Sequence, residues 1–218
     1  IATYKINFGD SAAAFAKAAH VFHEDLWQHR GAGHPIEGRG LLAEYRAADD
    51  SITVWASTQK SHDLFQSLTS LLDLDEAKLR VVAPDIGGGF GPKLCVYSED
   101  IAVVAAAKLI RRPIKWIEDR REHFTNAAQE RDQYWSIDIA VAADGKVLGL
   151  RGTLVHDVGA FALQDVNIPY NSASMMSGPY IVPSLAMDVT VAATNKTPVS
   201  SIRGAGYPQA AFAMERMM

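Results

Sequence analysis

The sequence predicts an α+β fold in which helices pack on mixed sheets. One observation is the alternation of apolar and polar residues over 135–141, followed by a turn at 143–146 and a returning strand over 147–155. This is the pattern of an antiparallel hairpin. The other is the spacing of apolar residues over 59–72 and 98–110, which follows the helical repeat. Both kinds of element therefore contribute to the predicted core.

The beginning of the chain predicts two strands around a short helix. Weak alternation predicts a strand at 4–8, and an alanine-rich stretch capped by Ser11 predicts a helix at 11–19. Alternation then predicts a strand at 20–29. Its histidines, with His34, are interpreted as ordinary polar side chains, because a strand spaces them too widely for a metal site.

The middle of the chain alternates between strands and helices. Strands at 41–46 and 51–56 flank a polar turn, the helix over 59–72 follows, and a strand is predicted at 79–83. Further on, the predicted elements are a helix at 98–110 capped by Ser98, a strand at 114–117 and a polar helix at 118–128. The mixed charges of this last helix indicate a solvated face.

A long segment from 157 to about 183 is rich in Asn, Ser, Gly, Pro and Met and is predicted to be irregular. Several apolar residues in it are predicted to be exposed for contact with another part of the protein: Met175, Met176 and Tyr180. A strand at 187–193 follows. Pro208, a favourable first-turn residue, marks the start of a final helix.

Composition excludes several classes of protein. The chain has 218 residues, 48% of them hydrophobic, and a net charge of −4, which gives no bulk electrostatic reason for a nucleic-acid partner. Its single cysteine, Cys95, excludes an internal disulfide framework and a cysteine-based zinc or iron–sulfur site. No apolar run approaches the roughly 20 residues of a membrane span. A cytoplasmic location fits, and export of a folded complex leaves a periplasmic one open.

The length suits one domain over 1–218, with a sub-division near 130. The sequence begins within a pattern at Ile1 and stops inside a predicted helix at Met218. We therefore expect a fragment of a larger multidomain subunit.

The loop 85–93, DIGGGFGPK, has four glycines in nine residues and joins a predicted strand to a predicted helix. Glycine lets backbone N–H groups approach a ligand closely, and a helix start just beyond favours an anion. The spacing matches neither G-x-G-x-x-G nor a P-loop. A tight connection that merely needs glycine, or a cradle of another kind, both remain open.

Three groups suit an oxygen-rich anionic ligand that must be oriented rather than protonated. Phe90 lies among backbone donors, Gln59 offers a neutral amide where a strand ends and a helix begins, and Arg203 offers a planar cation beside a second flexible loop. The sequence shows no nucleophile–base pair and no set of metal ligands. This combination favours a cofactor-binding domain over a self-contained acid–base enzyme.

These segments resemble motifs in the large subunit of molybdenum hydroxylases, the xanthine dehydrogenase, aldehyde oxidase and carbon monoxide dehydrogenase family. The match is to the first molybdopterin-binding domain, and the motifs occur in the family's order over nearly the whole chain. The matching segments are GGGFGPK at 87–93, RGAGYPQAAF at 203–212, WASTQ at 55–59 and a degraded HPIEGRG at 34–40.

The resemblance implies a molybdenum–molybdopterin cofactor, in its cytosine dinucleotide form, whose metal is held by the pterin dithiolene rather than by side chains. It implies that Gln59 hydrogen-bonds an oxygen of the molybdenum centre and that Arg203 anchors the oxo and pterin side. It also implies that the backbone of the glycine loop and the ring of Phe90 lie against the centre. The implied cofactor-binding residues are Gln59, Gly88, Gly89, Phe90, Gly91 and Arg203.

The implied reaction is oxidative hydroxylation of a small molecule with water as the oxygen source. In the family the general base is a glutamate from a later part of the large subunit, so we expect no catalytic residue in this chain and no turnover by it alone. The implied partners are the remainder of the large subunit, an iron–sulfur subunit with a 2Fe–2S centre and a flavin subunit with FAD.

Departures from the family pattern bear on the substrate. Purine-oxidising members have a glutamate where this chain has Leu94, an aromatic residue where it has Ala205, and an arginine near Asn171. Without a carboxylate and an arginine to orient a polar purine, an aldehyde or an N-heterocyclic aromatic compound is favoured. Carbon monoxide dehydrogenases have a cysteine at the position of Gly204, so that branch is disfavoured.

Two alternatives remain beside the hydroxylase. A non-catalytic binding or assembly module that kept the fold without its cofactor fits Gly38 and Leu94, although retention of Gln59, Phe90 and Arg203 argues against it. A nucleotide-binding domain that uses the glycine loop alone is the other.

Overall fold

The computed structural model describes residues 1–163 and 166–218, and the chain forms two compact units. The inserted unit is the continuous stretch Gly33–Ala127, and the discontinuous unit is made of Ile1–Ala32 and Ala128–Met218. The chain therefore passes between the units near residues 32 and 127. The assignment of 1–218 to one cofactor-binding domain stays a prediction.

Strands and helices account for most of the described residues. The strands are β1 Ala2–Phe8, β2 His20–Gln28, β3 Gly31–Ala32, β4 Gly40–Arg46, β5 Ser51–Ala56, β6 Leu79–Val82, β7 Ile114–Ile117, β8 Gln129–Glu130, β9 Gln133–Val141, β10 Val147–Gly159 and β11 Leu185–Ala193. The helices are α1 Ser11–Ala16, α2 Ser61–Leu72, α3 Ser98–Ile110, α4 Arg120–Asn126, α5 Asn167–Ser174 and α6 Tyr207–Met217. None of these helices is both long and apolar enough to cross a bilayer.

The discontinuous unit is built on a five-stranded sheet in the order β1-β11-β10-β9-β2. The pair β10–β11 is parallel, and the other neighbours are antiparallel. Because side chains alternate along a strand, the register places Leu26, Trp135 and Leu154 side by side on one face. They pack with Ala173, from α5, and with residues of α6, including Met214, to form the core of this unit.

The inserted unit contains a four-stranded sheet in the order β6-β5-β4-β7. Here β5 and β6 are parallel, and β4 is antiparallel to both of its neighbours. The buried residues Val54, Leu64, Leu68 and Val104 belong to one apolar cluster that joins the sheet to α2 and α3. The spacing of Leu64 and Leu68 places both on one face of α2, which is the face that the helix buries.

The α+β prediction is confirmed, and so is the hairpin on which it depends. The predicted strands form β9 and β10, which pair in antiparallel register with Ile139 opposite Leu150. The turn closes through bonds from the N–H of Gly145 to the carbonyl of Ala142, at 2.9 Å, and from the N–H of Ala142 to the carbonyl of Lys146, also at 2.9 Å.

The prediction of an irregular segment from 157 to 183 is wrong in its middle, because α5 spans Asn167–Ser174. This helix has few strong helix formers, and it is held by tertiary contacts of Ile168 and Ala173, which are both buried. Met176 is also buried rather than exposed, whereas Met175 is exposed as predicted. Packing against the core, rather than local composition, therefore determines the helix and the burial of Met176 in this region.

Two helices are shorter than predicted. Helix α1 ends at Ala16 rather than at residue 19, and its cap is Asp10, whose carboxylate accepts the Ala13 N–H at 2.9 Å, rather than Ser11. Helix α4 begins at Arg120, with Asp119 as its cap. Glu118, predicted within a solvated helix, is instead buried.

Candidate functional site

Gln59 lies in the corner between the end of β5 at Ala56 and the start of α2 at Ser61, as predicted. The corner is tied to the far end of the glycine loop. The backbone N–H of Gln59 donates to the carbonyl of Lys93 at 2.9 Å, and the hydroxyl of Thr58 donates to the same carbonyl at 3.3 Å. These bonds fix where the Gln59 side chain begins.

The side-chain oxygen of Gln59 accepts a hydrogen bond from the backbone N–H of Gly91 at 2.9 Å. Only the oxygen end of an amide can accept, so this contact decides the orientation of the whole amide group. The NH₂ group of Gln59 is then the end that points away from the Gly91 N–H. Gln59 is therefore a fixed donor beside the loop.

The loop between β6 and a short 3₁₀ turn, Pro92–Leu94, adopts several left-handed backbone angles. Phe90 has a φ of 56° and is 39% exposed. A bulky residue in this region is strained, and such strain concentrates at functional sites. Phe90 thus carries a conformation that the surrounding loop must enforce.

Gly89 marks the closest approach in the loop. A Cβ added there would lie 2.4 Å from Cδ and from Oε1 of Gln59, so no side chain fits while the amide keeps its place. Within residues 1–163 and 166–218, the N–H groups of Gly88 and Gly89 donate to no protein acceptor. The loop therefore presents backbone donors beside the amide of Gln59, and the absence of a Cβ at Gly89 is what lets the two come so close.

Glu37 and Lys93 fasten this loop from the other side. Lys93 Nζ lies 2.8 Å from Glu37 Oε2, and the same oxygen accepts the Gly87 N–H at 2.6 Å. The Lys93 ammonium lowers the pKa of Glu37 below its ordinary value, and the bond from Gly87 adds to this against the opposing effect of burial. Glu37 is thus held as a carboxylate.

A buried network supports the segment that carries Glu37. Arg39 donates to Glu118 Oε1 from Nε at 2.8 Å, and His123 Nδ1 lies 2.9 Å from Glu118 Oε2. All three side chains are buried. Burial raises the pKa of Glu118, but the hydrogen bonds from Arg39 and His123 outweigh it and keep the pKa below its ordinary value. The charges in this network compensate one another.

The start of α3 does not serve the loop in the predicted way. The 3₁₀ turn separates the loop from α3, and the residue before the helix is Tyr97 rather than the predicted cap Ser98. Asp100 accepts the Tyr97 N–H at 2.9 Å, and Glu99 adds a second acid to the first turn. These two carboxylates already lie at the positive end of the helix dipole. The start of α3 therefore has no special attraction for an external anion.

In the discontinuous unit, Arg203 begins a tight turn into α6. The next three residues have φ values of 109°, 45° and 107°, and they are Gly204, Ala205 and Gly206. A Cβ on Gly206 would lie 2.6 Å from the carbonyl oxygen of Ile168 in α5. Asn171, also in α5, donates from Nδ2 to the Ala205 carbonyl at 2.9 Å. Arg203 itself is exposed.

The structure brings several predicted residues together. Gln59, Gly89 and Gly91 are in contact in the inserted unit, and the half-buried Leu94 follows in the 3₁₀ turn. Asn171 and Ala205 are in contact in the discontinuous unit. The roles assigned to these residues toward a cofactor or substrate stay predictions.

Sequence reasoning missed the roles of Glu37, Lys93 and Arg39. Their signal was present, since each is a charged residue inside a recognised motif. Their partners, however, lie 56 residues away in the case of Lys93 and Glu37, and 79 residues away in the case of Arg39 and Glu118. No local pattern predicts such pairs.

The model of the "Molybdopterin cofactor-binding domain" family matches residues 1–218, the full length of the chain. The chain belongs to this family. The resemblance to molybdenum hydroxylases is therefore confirmed, and the chain is a molybdopterin-binding domain of the kind found in their large subunits.

Relatives of this molybdopterin-binding domain are oxidoreductases. The nicotine 6-hydroxylase large subunit of Paenarthrobacter nicotinovorans is 34% identical in an alignment that covers 98% of this chain and 27% of that protein. The carbon monoxide dehydrogenase large chain of Hydrogenophaga pseudoflava is 32% identical over 96% of this chain and 27% of that one. The chain thus spans about a quarter of the length of these two relatives.

Among solved structures, quinoline 2-oxidoreductase from Pseudomonas putida 86 is similar with a TM-score of 0.86 and 26% sequence identity. The match covers 97% of this chain and 29% of that chain. The similarity supports the mixed-sheet fold described above for the molybdopterin-binding domain.

Proposed function

We propose that the glycine loop of the inserted unit receives the molybdenum–molybdopterin cofactor of a hydroxylase. The observation that carries the proposal is the bond between Gln59 Oε1 and the Gly91 N–H, which fixes an amide donor beside the backbone donors of Gly88 and Gly89. Oxygen atoms of a cofactor are suitable acceptors for such donors. Gly89 permits this arrangement, because the space that a Cβ would take there is occupied by the side chain of Gln59.

The cofactor, when bound, supplies a two-electron oxidation that hydroxylates carbon with water as the oxygen source. In this proposal the NH₂ group of Gln59 donates to an oxygen of the cofactor, and the ring of Phe90 packs against it. The role of Arg203 as an anchor for the oxo and pterin side rests on its motif. These groups would orient the cofactor. The family resemblance places the general base in another part of the large subunit, so the isolated chain is expected to be inactive.

The finer assignments belong to the same proposal. The large-subunit names of the relatives support partners in a multi-subunit complex. The cytosine dinucleotide form of the cofactor, an iron–sulfur subunit, a flavin subunit, the remainder of a large subunit and a cytoplasmic location all rest on the family resemblance and on composition.

We propose an N-heterocyclic aromatic substrate rather than xanthine, carbon monoxide or a simple aldehyde. The relatives named for nicotine and quinoline support it, as both compounds are N-heterocycles. Leu94 and Ala205 offer apolar surfaces where a purine would need charged groups. The side-chain amide of Asn171 donates to the carbonyl of Ala205, so it holds the turn that leads into α6.

Gln59→Glu tests the donor role of Gln59 directly. The variant keeps a side-chain oxygen for the Gly91 N–H but replaces the NH₂ donor with a second acceptor that carries charge. We expect the protein that carries this chain, made in a host that produces molybdopterin, to keep its fold and to lose molybdenum by about tenfold or more. Metal analysis and circular dichroism measure the two quantities.

The matched control is Gln66→Ala, since Gln66 is an exposed glutamine on α2 of the same unit. It is expected to retain the metal content of the unchanged protein. Wild-type molybdenum in Gln59→Glu would show that the amide donates nothing to the cofactor.

The substrate proposal is tested by turnover of the cofactor-loaded protein with pyridine- and quinoline-type compounds, aromatic aldehydes, xanthine and carbon monoxide in parallel. We expect the heterocycles to be hydroxylated with oxygen from ¹⁸O-labelled water at a kcat/KM at least about tenfold above that for the others. A preference for aldehydes or xanthine would contradict the proposed class.

The alternative is an assembly module that keeps the fold without a cofactor. Gly38 favours neither function, because a Cβ there would lie 3.0 Å from the carbonyl oxygen of Glu118, a crowding that arises within the unit itself. A protein that folds in a molybdopterin-producing host and contains no molybdenum would favour the module.

A further inference from the structure

We propose that Glu37 and Lys93 are positioning residues whose ion pair locks the glycine loop in the conformation that receives the cofactor. This inference deepens the proposed function and rests on it for the identity of the ligand. The lock itself is a property of the protein alone and is measurable without a cofactor.

One carboxylate oxygen joins both ends of the loop. Glu37 Oε2 accepts from the Gly87 N–H at 2.6 Å, where the loop begins, and lies 2.8 Å from Lys93 Nζ, where it ends. A Cβ on Gly87 would lie 2.6 Å from Cβ of Glu37, so the two segments are as close as glycine permits. The seven residues from Gly87 to Lys93 are thus closed into a loop by a single side chain.

The ion pair between Glu37 and Lys93 is important for the folded loop because the side chain of Lys93 is fully buried. The side chain of Lys93 is 0% exposed, whereas that of Glu37 is 45% exposed. A buried ammonium is costly unless it is paired, so the folded loop depends on the carboxylate. Loss of Glu37 would leave the ammonium without this charge partner and would free the Gly87 N–H at the same time.

Lys93 also connects the lock to Gln59. Its backbone carbonyl accepts the Gln59 N–H at 2.9 Å and the Thr58 hydroxyl at 3.3 Å. The position of Lys93 therefore sets the distance from the Gln59 amide to Gly91. Through this connection the ion pair acts on the donor that we assign to the cofactor, although neither charged group needs to touch it.

The segment that presents Glu37 is itself fixed on its outer side. Arg120 donates from Nη2 to the carbonyls of Pro35 at 2.6 Å and Ile36 at 3.0 Å. On the other side of Glu37, the backbone N–H of Arg39 donates to Glu118 Oε2 at 2.9 Å. The backbone on both sides of Glu37 is thus held by hydrogen bonds, so its carboxylate has a fixed position from which to hold the loop.

Glu37→Gln tests the lock in the protein that carries this chain, in its cofactor-free form. Glutamine keeps the size of the side chain and an oxygen acceptor but removes the charge that pairs with Lys93. We expect amide hydrogen exchange at Gly87 and Gly91, whose N–H groups bond to Glu37 and Gln59, to become about tenfold faster, since a charge-assisted bond is roughly twice as strong as a neutral one. Exchange in β4 and β5 is expected to stay unchanged.

The matched control is Asp50→Asn, which neutralises an exposed acid paired with Lys78 at 3.3 Å in the same unit. It is expected to leave exchange at Gly87 and Gly91 unchanged. Exchange in Glu37→Gln that stays within about twofold of the unchanged protein would overturn the lock.

A second variant distinguishes a local effect on the loop from destabilisation of the whole inserted unit. If Glu37→Gln speeds exchange throughout the inserted unit, Glu37→Gln/Lys93→Met removes the unpaired ammonium as well. We expect it to restore protection in β4 and β5 while exchange at Gly87 and Gly91 stays fast. Restored protection in the loop too would overturn the proposal.

Molybdenum analysis of the same variants separates the claim that the ion pair fixes the loop from the claim that the loop receives the cofactor. If the lock positions the cofactor, Glu37→Gln made in a molybdopterin-producing host holds several-fold less molybdenum than Asp50→Asn. Absence of metal from the unchanged protein would contradict the proposed function, while the exchange data would still decide whether the lock exists.

Discussion

Gly89→Ala is expected to remove most of the molybdenum from the protein. The new methyl group would lie 2.4 Å from the Gln59 amide, so the side chain must swing away and release the Gly91 N–H. Because a misplaced amide donor and an unpaired backbone N–H each cost about 1–3 kcal/mol, the expected loss of bound metal is about tenfold or more. Metal analysis of protein from a molybdopterin-producing host measures it.

Gly40→Ala is the control for this result. The new methyl group would meet only Trp116 O at 3.6 Å and a side-chain carbon of Ile117 at 4.0 Å, which are ordinary contacts. Its molybdenum content is expected to match that of the unchanged protein. Full metal occupancy in Gly89→Ala would mean that the cofactor does not depend on the contact between the loop and Gln59.

Arg39→Met is expected to give the largest loss of stability. It removes the guanidinium that compensates the buried Glu118, and with it the contact that places the Arg39 guanidinium carbon 3.7 Å from the centre of the Tyr97 ring. Leaving a buried charge without its partner costs about 3–5 kcal/mol in the free energy of unfolding. Urea titration, followed by hydrogen exchange in the inserted unit, measures the change.

Two further variants show whether the buried charge is the cause. Arg46→Met removes an exposed arginine that pairs with Asp49, and we expect little change in the free energy of unfolding. Adding Glu118→Gln to Arg39→Met removes the uncompensated carboxylate and is expected to recover part of the loss. A loss of less than about 1 kcal/mol in Arg39→Met would contradict the assigned role of the network.

The place of Gln59 was predictable because strong local signals flank it. The alternating residues of β5 end at Ala56, and the apolar repeat of α2 begins soon after. The sequence therefore predicts the connection between strand and helix that contains Gln59. The glycines of the loop likewise predicted that its backbone lies close to another group, which the structure shows to be the side chain of Gln59. Where local pattern and tertiary packing agree, sequence reasoning located both the fold and the candidate site.

The missed features depend on partners that are distant in the sequence. Helix α5 has weak intrinsic helix formers and is held by the burial of Ile168 and Ala173. Glu118 sits among charged neighbours that indicate a solvent face, yet its partner Arg39 encloses it from 79 residues away. Periodicity and propensity carry no information about such pairings.

The most direct test of cofactor binding is the molybdenum and pterin content of the unchanged protein that carries this chain, made in a host that produces the cofactor. We expect about one molybdenum and one pterin per chain, both lost in Gly89→Ala and kept in Gly40→Ala. Well-folded protein that contains neither molybdenum nor pterin under these conditions would contradict it.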